Sequence, residues 1–167
     1  DVDEATYFRI ISDKTASLFT ASCEAGAVAA GADRKTQKHL KEYGQNLGMA
    51  FQITDDLLDW VGETEKTGKS LGTDLKEGKI TLPLIHILKE SDPPTRRKII
   101  RLLENSFNQK DFDKILSFMK GNGGVEYAQN QADTFGKKAL ECIAGFKDSP
   151  YKKSLLHLVG FVLKRDQ

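Results

Sequence analysis

Cysteine, proline and an excess of either charge are all scarce in this chain, and each shortage excludes something. Cys23 and Cys142 are too few and too isolated for a disulfide framework, and neither has a short-spaced Cys or His companion of the kind a zinc site needs. A reducing, cytoplasmic compartment is the expectation. Lys and Arg total 25 against 24 Asp and Glu, a formal net charge of +1, so no overall field recommends nucleic acid or an anionic membrane as a partner. Long apolar runs are missing too. The most hydrophobic stretch, "ASLFTASCEAGAVAAGA" (16–32), is mostly Ala, Ser and Gly with Glu24 in its middle, a poor membrane span. No charged leader with an apolar core opens the chain, and its first residue is Asp1 rather than Met, which suits a piece of a longer protein.

What is present is helical periodicity. Apolar residues recur at three and four along almost the whole chain, alternation is nowhere sustained, and there are four prolines, so the fold class is all-α. At 167 residues and 18.6 kDa the length suits one core, and a single helical domain over 1–167 is predicted. Helices are placed near 4–12, 13–31, 34–61, 81–91, 94–105, 110–121, 124–145 and 150–165. Asp33 can cap the third, Thr81 with Pro83 can start the fourth, "GNGG" (121–124) breaks the chain before the seventh, and Ser149-Pro150 opens the last. Small residues in 16–32, with Gly44 and Gly48 on the third helix, predict two closely packed central helices. Segment 93–122, where charge is mixed with single apolar stripes, reads as an outer layer. "GETEKTGKSLGTDLKEGK" (62–79) is too long for an ordinary helix connection, and loops of that length are usually functional or disordered.

"FQITDDLLDW" (51–60) sets Asp55, Asp56 and Asp59 inside an otherwise apolar run. With Asp55 as zero, Gly48 falls at about 20°, Asp59 at about 40°, Gln52 at about 60° and Asp56 at about 100° around a helix. They form one polar stripe, flanked by an apolar belt that includes Leu47, Ala50, Ile53, Leu57 and Trp60. Carboxylates at i,i+4 repel by about 3 kcal/mol at an effective dielectric near 20. Such a stripe is either a solvated acid patch or, if it faces the interior as the apolar belt favours, needs a raised pKa, a salt bridge or a divalent metal. Magnesium is the economical choice, because one or two carboxylates commonly hold it while a substrate phosphate completes its shell. The loop that follows carries Lys66, Lys69, Lys76 and Lys79, and Lys14 lies upstream.

"GMAFQITDDLLDW", followed by "GKSLGTDLKEGKITLPLI", resembles the second aspartate-rich DDxxD motif and succeeding loop of trans-polyprenyl diphosphate synthases. "KTASLFTASCEAGA" (14–27) is similar to that family's Lys-Thr helix. Residues 123–167 resemble its closing helices, in wording nearest the octaprenyl-like members. The resemblance covers nearly the whole chain. It implies an antiparallel helical bundle of the isoprenoid (terpenoid) synthase type, and a prenyltransferase that condenses isopentenyl diphosphate with an allylic diphosphate. The implied cofactor is Mg2+, with Asp55 as principal ligand, Asp56 in the same motif, and Asp59 and Asp74 acting through metal-bound water. Lys14, Thr15, Gln52 and Lys69 match positions that contact the allylic diphosphate or its metal shell. Lys79 occupies a related basic position, and Phe51 lies near the reacting carbons. The family's usual homodimer is implied for the full-length protein.

One part of the family pattern is missing. The resemblance puts a first aspartate-rich motif and an Arg pair upstream of Lys14, and no second DDxxD occurs in these residues. Arg96-Arg97, in an amphipathic stretch, is no substitute. The chain is therefore read as the C-terminal part of a synthase, inactive alone, with a non-catalytic helical subunit of the same fold as the alternative. Two other readings fail on spacing. A P-loop would need Gly where Glu63 stands, and an EF-hand would need alternating acids around a central Gly. His39, His86 and His157 lie apart on ordinary helical patterns and read as packing or surface residues.

Overall fold

A computed structural model describes residues 3–62, 71–104 and 108–164. Its regular elements are all helical: α1 (Glu4–Ile11), a π-helical turn (Ser12–Ala16), α2 (Ser17–Ala29), α3 (Arg34–Val61), α4 (Thr73–Lys76), α5 (Leu82–Glu90), α6 (Pro93–Glu104), α7 (Gln109–Gly121), α8 (Gly124–Ala144) and α9 (Pro150–Leu163). The all-α expectation holds. Local chemistry sets most of the boundaries. Asp33 accepts from the Thr36 amide at 2.7 Å to start α3, and Ser149 accepts from the Lys152 amide at 3.1 Å to start α9. Gly123, at φ 75°, makes the break between α7 and α8. Thr81 stands before α5 as expected, but its hydroxyl accepts the Trp60 indole N–H at 2.8 Å instead of capping.

The π-helical turn departs from the sequence reading, which separated two helices at this point. The Ser17 amide reaches five residues back to the Ser12 carbonyl. The Asp13 carbonyl, its partner in an α-helix, takes the Ser17 hydroxyl instead, at 2.7 Å. The helical path continues through the widened turn, which carries Lys14 and Thr15.

Contacts group the chain into two compact units. The first comprises Asp1–Tyr7 and Asp56–Gln129. Its core gathers Trp60, Leu75, Leu84, Ile87, Ile99, Phe112, Ile115 and Met119. Trp60 and Phe112 stack with centroids 5.3 Å apart, an aromatic pair worth about 0.5–1.5 kcal/mol beyond the area it buries. The stripes expected on 93–122 are here: Ile99, Phe112, Ile115 and Met119 face inward, while Arg96 and Arg97 are exposed.

The second unit comprises Phe8–Asp55 and Asn130–Gln167. Its core gathers Tyr43, Leu47, Ala50, Ala139, Ile143, Val159 and Val162, and the Tyr43 hydroxyl donates to the Leu155 carbonyl at 2.8 Å. Burial pushes the Tyr43 hydroxyl well above the ordinary tyrosine range. Gly44 and Gly48 do bring α3 against the helix before it: a Cβ on Gly48 would sit 2.6 Å from the Ala16 Cα, and one on Gly44 would sit 2.5 Å from the Phe19 carbonyl oxygen. Yet α2 is packed on one side, with Leu18 70% and Val28 55% exposed. Cys23 and Cys142 are free thiols, and burial raises both. Among the described residues no helix is long and apolar enough to cross a membrane.

Candidate functional site

In the second unit the polar stripe of α3 is a packing seam. Gln45, Gly48 and Gln52 recur at three and four, and each meets the π-helical turn or the start of α2. Gln45 donates from its amide to the Ser12 hydroxyl at 2.9 Å and accepts from the Thr20 hydroxyl at 2.8 Å. Gln52, 6% exposed, accepts from the Thr15 hydroxyl at 2.6 Å. Both amides are thereby oriented by hydroxyls on the neighbouring strand of helix, and Gly48 permits the close approach. Phe51 packs against Phe19 with centroids 5.4 Å apart. Lys14 is exposed next to Thr15, and Asp55, one turn beyond Gln52, is partly exposed. A π turn at such a place is a common accompaniment of functional residues, because it shifts side chains off the regular helical register.

In the first unit, Asp56 is 6% exposed and its Oδ2 accepts from the Tyr7 hydroxyl at 2.7 Å. Asp59 lies in the last turn of α3, and three successive amides return to it. The Gly72 amide donates to its backbone carbonyl at 2.8 Å, the Thr73 amide to Oδ1 at 2.9 Å and the Asp74 amide to Oδ2 at 3.0 Å. Asp74 in turn accepts the Lys79 ammonium at 2.9 Å, and Glu77 takes the same ammonium at 2.7 Å. The hydrogen bonds from Glu77 and then Asp74 hold Lys79 in its charged form, raising its pKa. Lys79 is half exposed, so this pair contributes little stability and can be shared with an incoming anion.

The structure thus brings Thr15 together with Gln52, and Asp59 together with Asp74 and Lys79. Lys69 lies outside the described residues, as does Lys66. Among the described residues no three His, Cys, Asp or Glu side chains converge to hold one metal ion. The donors are hard carboxylate oxygens, which suits a Mg2+ that keeps waters and takes substrate oxygens, and not an ion caged by protein alone. Two contributors escaped sequence reasoning. Tyr7 carries no local signal of its tie to a residue 49 positions away. Gln45 does lie on the stripe, at about 80° on the same wheel, and could have been found there.

Comparison with known proteins covers nearly the whole chain. The octaprenyl diphosphate synthase of Haemophilus influenzae is 36% identical over 166 residues, 99% of this chain and 50% of that protein. The heptaprenyl diphosphate synthase component 2 of Bacillus subtilis is 32% identical over 96% of this chain and 45% of its own length. Among solved structures, a polyprenyl synthase from Caulobacter crescentus, in complex with calcium and isoprenyl diphosphate, superposes with a TM-score of 0.92 at 36% identity, covering 100% of this chain and 51% of that one. The helical fold is therefore that of the isoprenoid synthases. The chain spans about half the length of the curated relatives it matches. Residues 1–119, which include every acid and base of the candidate site, match the polyprenyl synthetase family model, and the chain belongs to that family.

Proposed function

We propose that the protein is a trans-prenyltransferase that condenses isopentenyl diphosphate with an allylic diphosphate, and that this chain carries its second aspartate-rich site. The carrying observation is the family match across the segment that holds Asp55, Asp56, Asp59 and Asp74. Octaprenyl diphosphate synthases matched over 99% and 100% of the chain support the reaction class. Mg2+ would be held by Asp55 and Asp56, with Asp59 and Asp74 reaching it through water, and would supply positive charge to the departing diphosphate. Lys14, Lys69 and Lys79 would add ammonium donors to the same oxygens. The Thr15 hydroxyl, by donating to Gln52 Oε1 at 2.6 Å, fixes which way the Gln52 amide is turned. Loss of diphosphate leaves an allylic cation. The isopentenyl double bond attacks it, and a proton leaves to restore the alkene. Phe51 would stand near those carbons.

The 167 residues alone are expected to be inactive, because the family resemblance places a first aspartate-rich motif outside them. The free thiols support a cytoplasmic protein, and the family's usual homodimer is the assembly proposed for the full-length form. In that form, elongation of an allylic diphosphate should require magnesium and fall at least about 100-fold in Asp55→Ala, the effect of losing a few kcal/mol of transition-state stabilisation. Activity equal to wild type would remove Asp55 from the site. A second reading, a subunit working with a separate partner, is favoured by the Bacillus subtilis relative named as a component. A second DDxxD with an Arg pair encoded upstream of Asp1 would decide for the enzyme.

A further inference from the structure

We infer that Asp59, the third acid of the motif, is a positioning residue that latches segment 71–79 to the end of α3, and not a direct ligand of the metal; its consequence for diphosphate binding rests on the function proposed above. The argument begins with a liability. Asp59 sits at the C-terminal end of α3, where the helix dipole disfavours an anion, and no basic residue occupies that last turn. Its carboxylate is instead stabilised by the amides of Thr73 and Asp74, one to each oxygen, while its own carbonyl takes the Gly72 amide. All three acceptor groups of one residue therefore face one strand of chain.

The need is equally clear from the other side. Gly72 is the residue before α4, at φ 75°, and a Cβ there would lie 2.4 Å from Phe112 Cδ2. Geometry demands glycine, and glycine has no side chain to cap the helix it precedes. Asp59 supplies that cap from α3. The linkage then continues outward: the amide of Asp74 is bound by Asp59, the Asp74 carbonyl accepts the Lys79 amide at 2.9 Å, and the Asp74 carboxylate holds the Lys79 ammonium. Asp59 thus fixes where Asp74 and Lys79 stand. Each Asp59 oxygen keeps a second lone pair beside its amide, which leaves room for the water-mediated contact proposed above.

The test compares wild type, Asp59→Asn and Thr73→Pro in the full-length protein, by hydrogen exchange and by kinetics. Asparagine keeps the shape but loses the charge and one acceptor. Proline is tolerated at a first helical position; it removes the Thr73 donor and disfavours the Gly72 turn before it, so it releases the segment from the other side while every carboxylate stays in place. The latch requires exchange across 71–76 to rise at least about ten-fold in both variants, with α6 unchanged, which is the factor expected from losing one charge-assisted hydrogen bond. It also requires KM for the allylic diphosphate to rise while the magnesium concentration for half-maximal rate stays within about two-fold of wild type, since no ligand is lost. Unchanged exchange in Asp59→Asn, or a magnesium requirement raised about ten-fold in Asp59→Asn but not in Thr73→Pro, overturns it. If the full-length protein transfers no prenyl group, the proposed function falls and the exchange result still decides the latch.

Discussion

Replacing Gly48 by alanine should destabilise the protein, although alanine is the better helix former. Within α3 the exchange gains about 1 kcal/mol of helix propensity. Against this, the new Cβ would lie 2.6 Å from the Ala16 Cα, 3.0 Å from the Ala16 Cβ and 3.2 Å from the Phe19 Cβ. Carbon atoms rest about 3.5–4.0 Å apart, so the helices must separate by about 1 Å, and a gap of that size forfeits a quarter to a half of each dispersion contact along the seam. The separation also stretches the 2.6 Å Thr15–Gln52 and 2.9 Å Gln45–Ser12 hydrogen bonds, each contributing about 1 kcal/mol. A net loss of about 2–3 kcal/mol is expected. Gly26→Ala is the control, because it lies in α2 with nothing within 4 Å of its would-be Cβ, and it should gain about 0.5–1 kcal/mol. Urea unfolding of the two variants beside wild type gives the comparison, with midpoints moving in opposite directions at unchanged slope. Midpoints that move the same way would refute the close seam.

Three further outcomes follow from particular contacts. Tyr7→Phe leaves the buried Asp56 carboxylate without the hydroxyl at 2.7 Å and should cost about 1.5–3 kcal/mol in urea unfolding; a change under about 0.5 kcal/mol would show that the bond contributes nothing net. Lys152→Met removes the ammonium that binds the carbonyls of Ala144, the last residue of α8, and Phe146 at 3.0 and 2.6 Å, and a loss of about 1–2 kcal/mol in the same assay is expected. Burial, then the hydrogen bond and charge of Glu4 and the charge of Glu90, push the Tyr127 hydroxyl up to about 12. A raised folded-state value means that the folded protein holds this proton more tightly, so the contribution is complete below the ordinary tyrosine pKa of about 10 and is lost as pH rises from there to about 12. The stability difference between wild type and Tyr127→Phe should therefore narrow across that window; a constant difference would show that the hydroxyl is not perturbed.

The helices were legible because their signals are local. Asp33, Ser149 and the glycines at 123–124 act within a turn of the boundaries they set, and apolar spacing survives any tertiary arrangement. The π-helical turn was not legible, because slipping one hydrogen bond from four to five residues leaves the sequence spacing untouched. What sustains it is tertiary: Gly48 against Ala16, and two glutamines on α3 meeting hydroxyls around the turn. The small residues of 16–32 correctly announced close approach on one side of α2, but composition carries no direction, and Leu18 and Val28 face outward. The helical wheel likewise placed Gln52 and Gly48 on one stripe without saying what stands opposite. The structure puts the π-helical turn there.

The same limit explains why two acids of one motif, Asp56 and Asp59, have different neighbours. A pattern search reads Asp55, Asp56 and Asp59 as equivalent, since repulsion between neighbouring carboxylates depends on spacing alone until partners are known. Partners from distant chain include Tyr7 for Asp56 and the returning amides of Gly72, Thr73 and Asp74 for Asp59. A tyrosine hydroxyl and a backbone amide are neutral donors. A hydroxyl or an amide aims a carboxylate and lowers the cost of burying it, yet cancels none of its charge, whereas a lysine in the same place would cancel it. A carboxylate held by neutral donors is pre-oriented and still anionic, which is the state in which it can attract a hard cation when a diphosphate arrives to complete the shell. On that reasoning, Asp56→Asn should keep the Tyr7 contact and most of the stability while losing affinity for magnesium. Equal stability with an unchanged magnesium requirement would remove Asp56 from the metal's direct ligands.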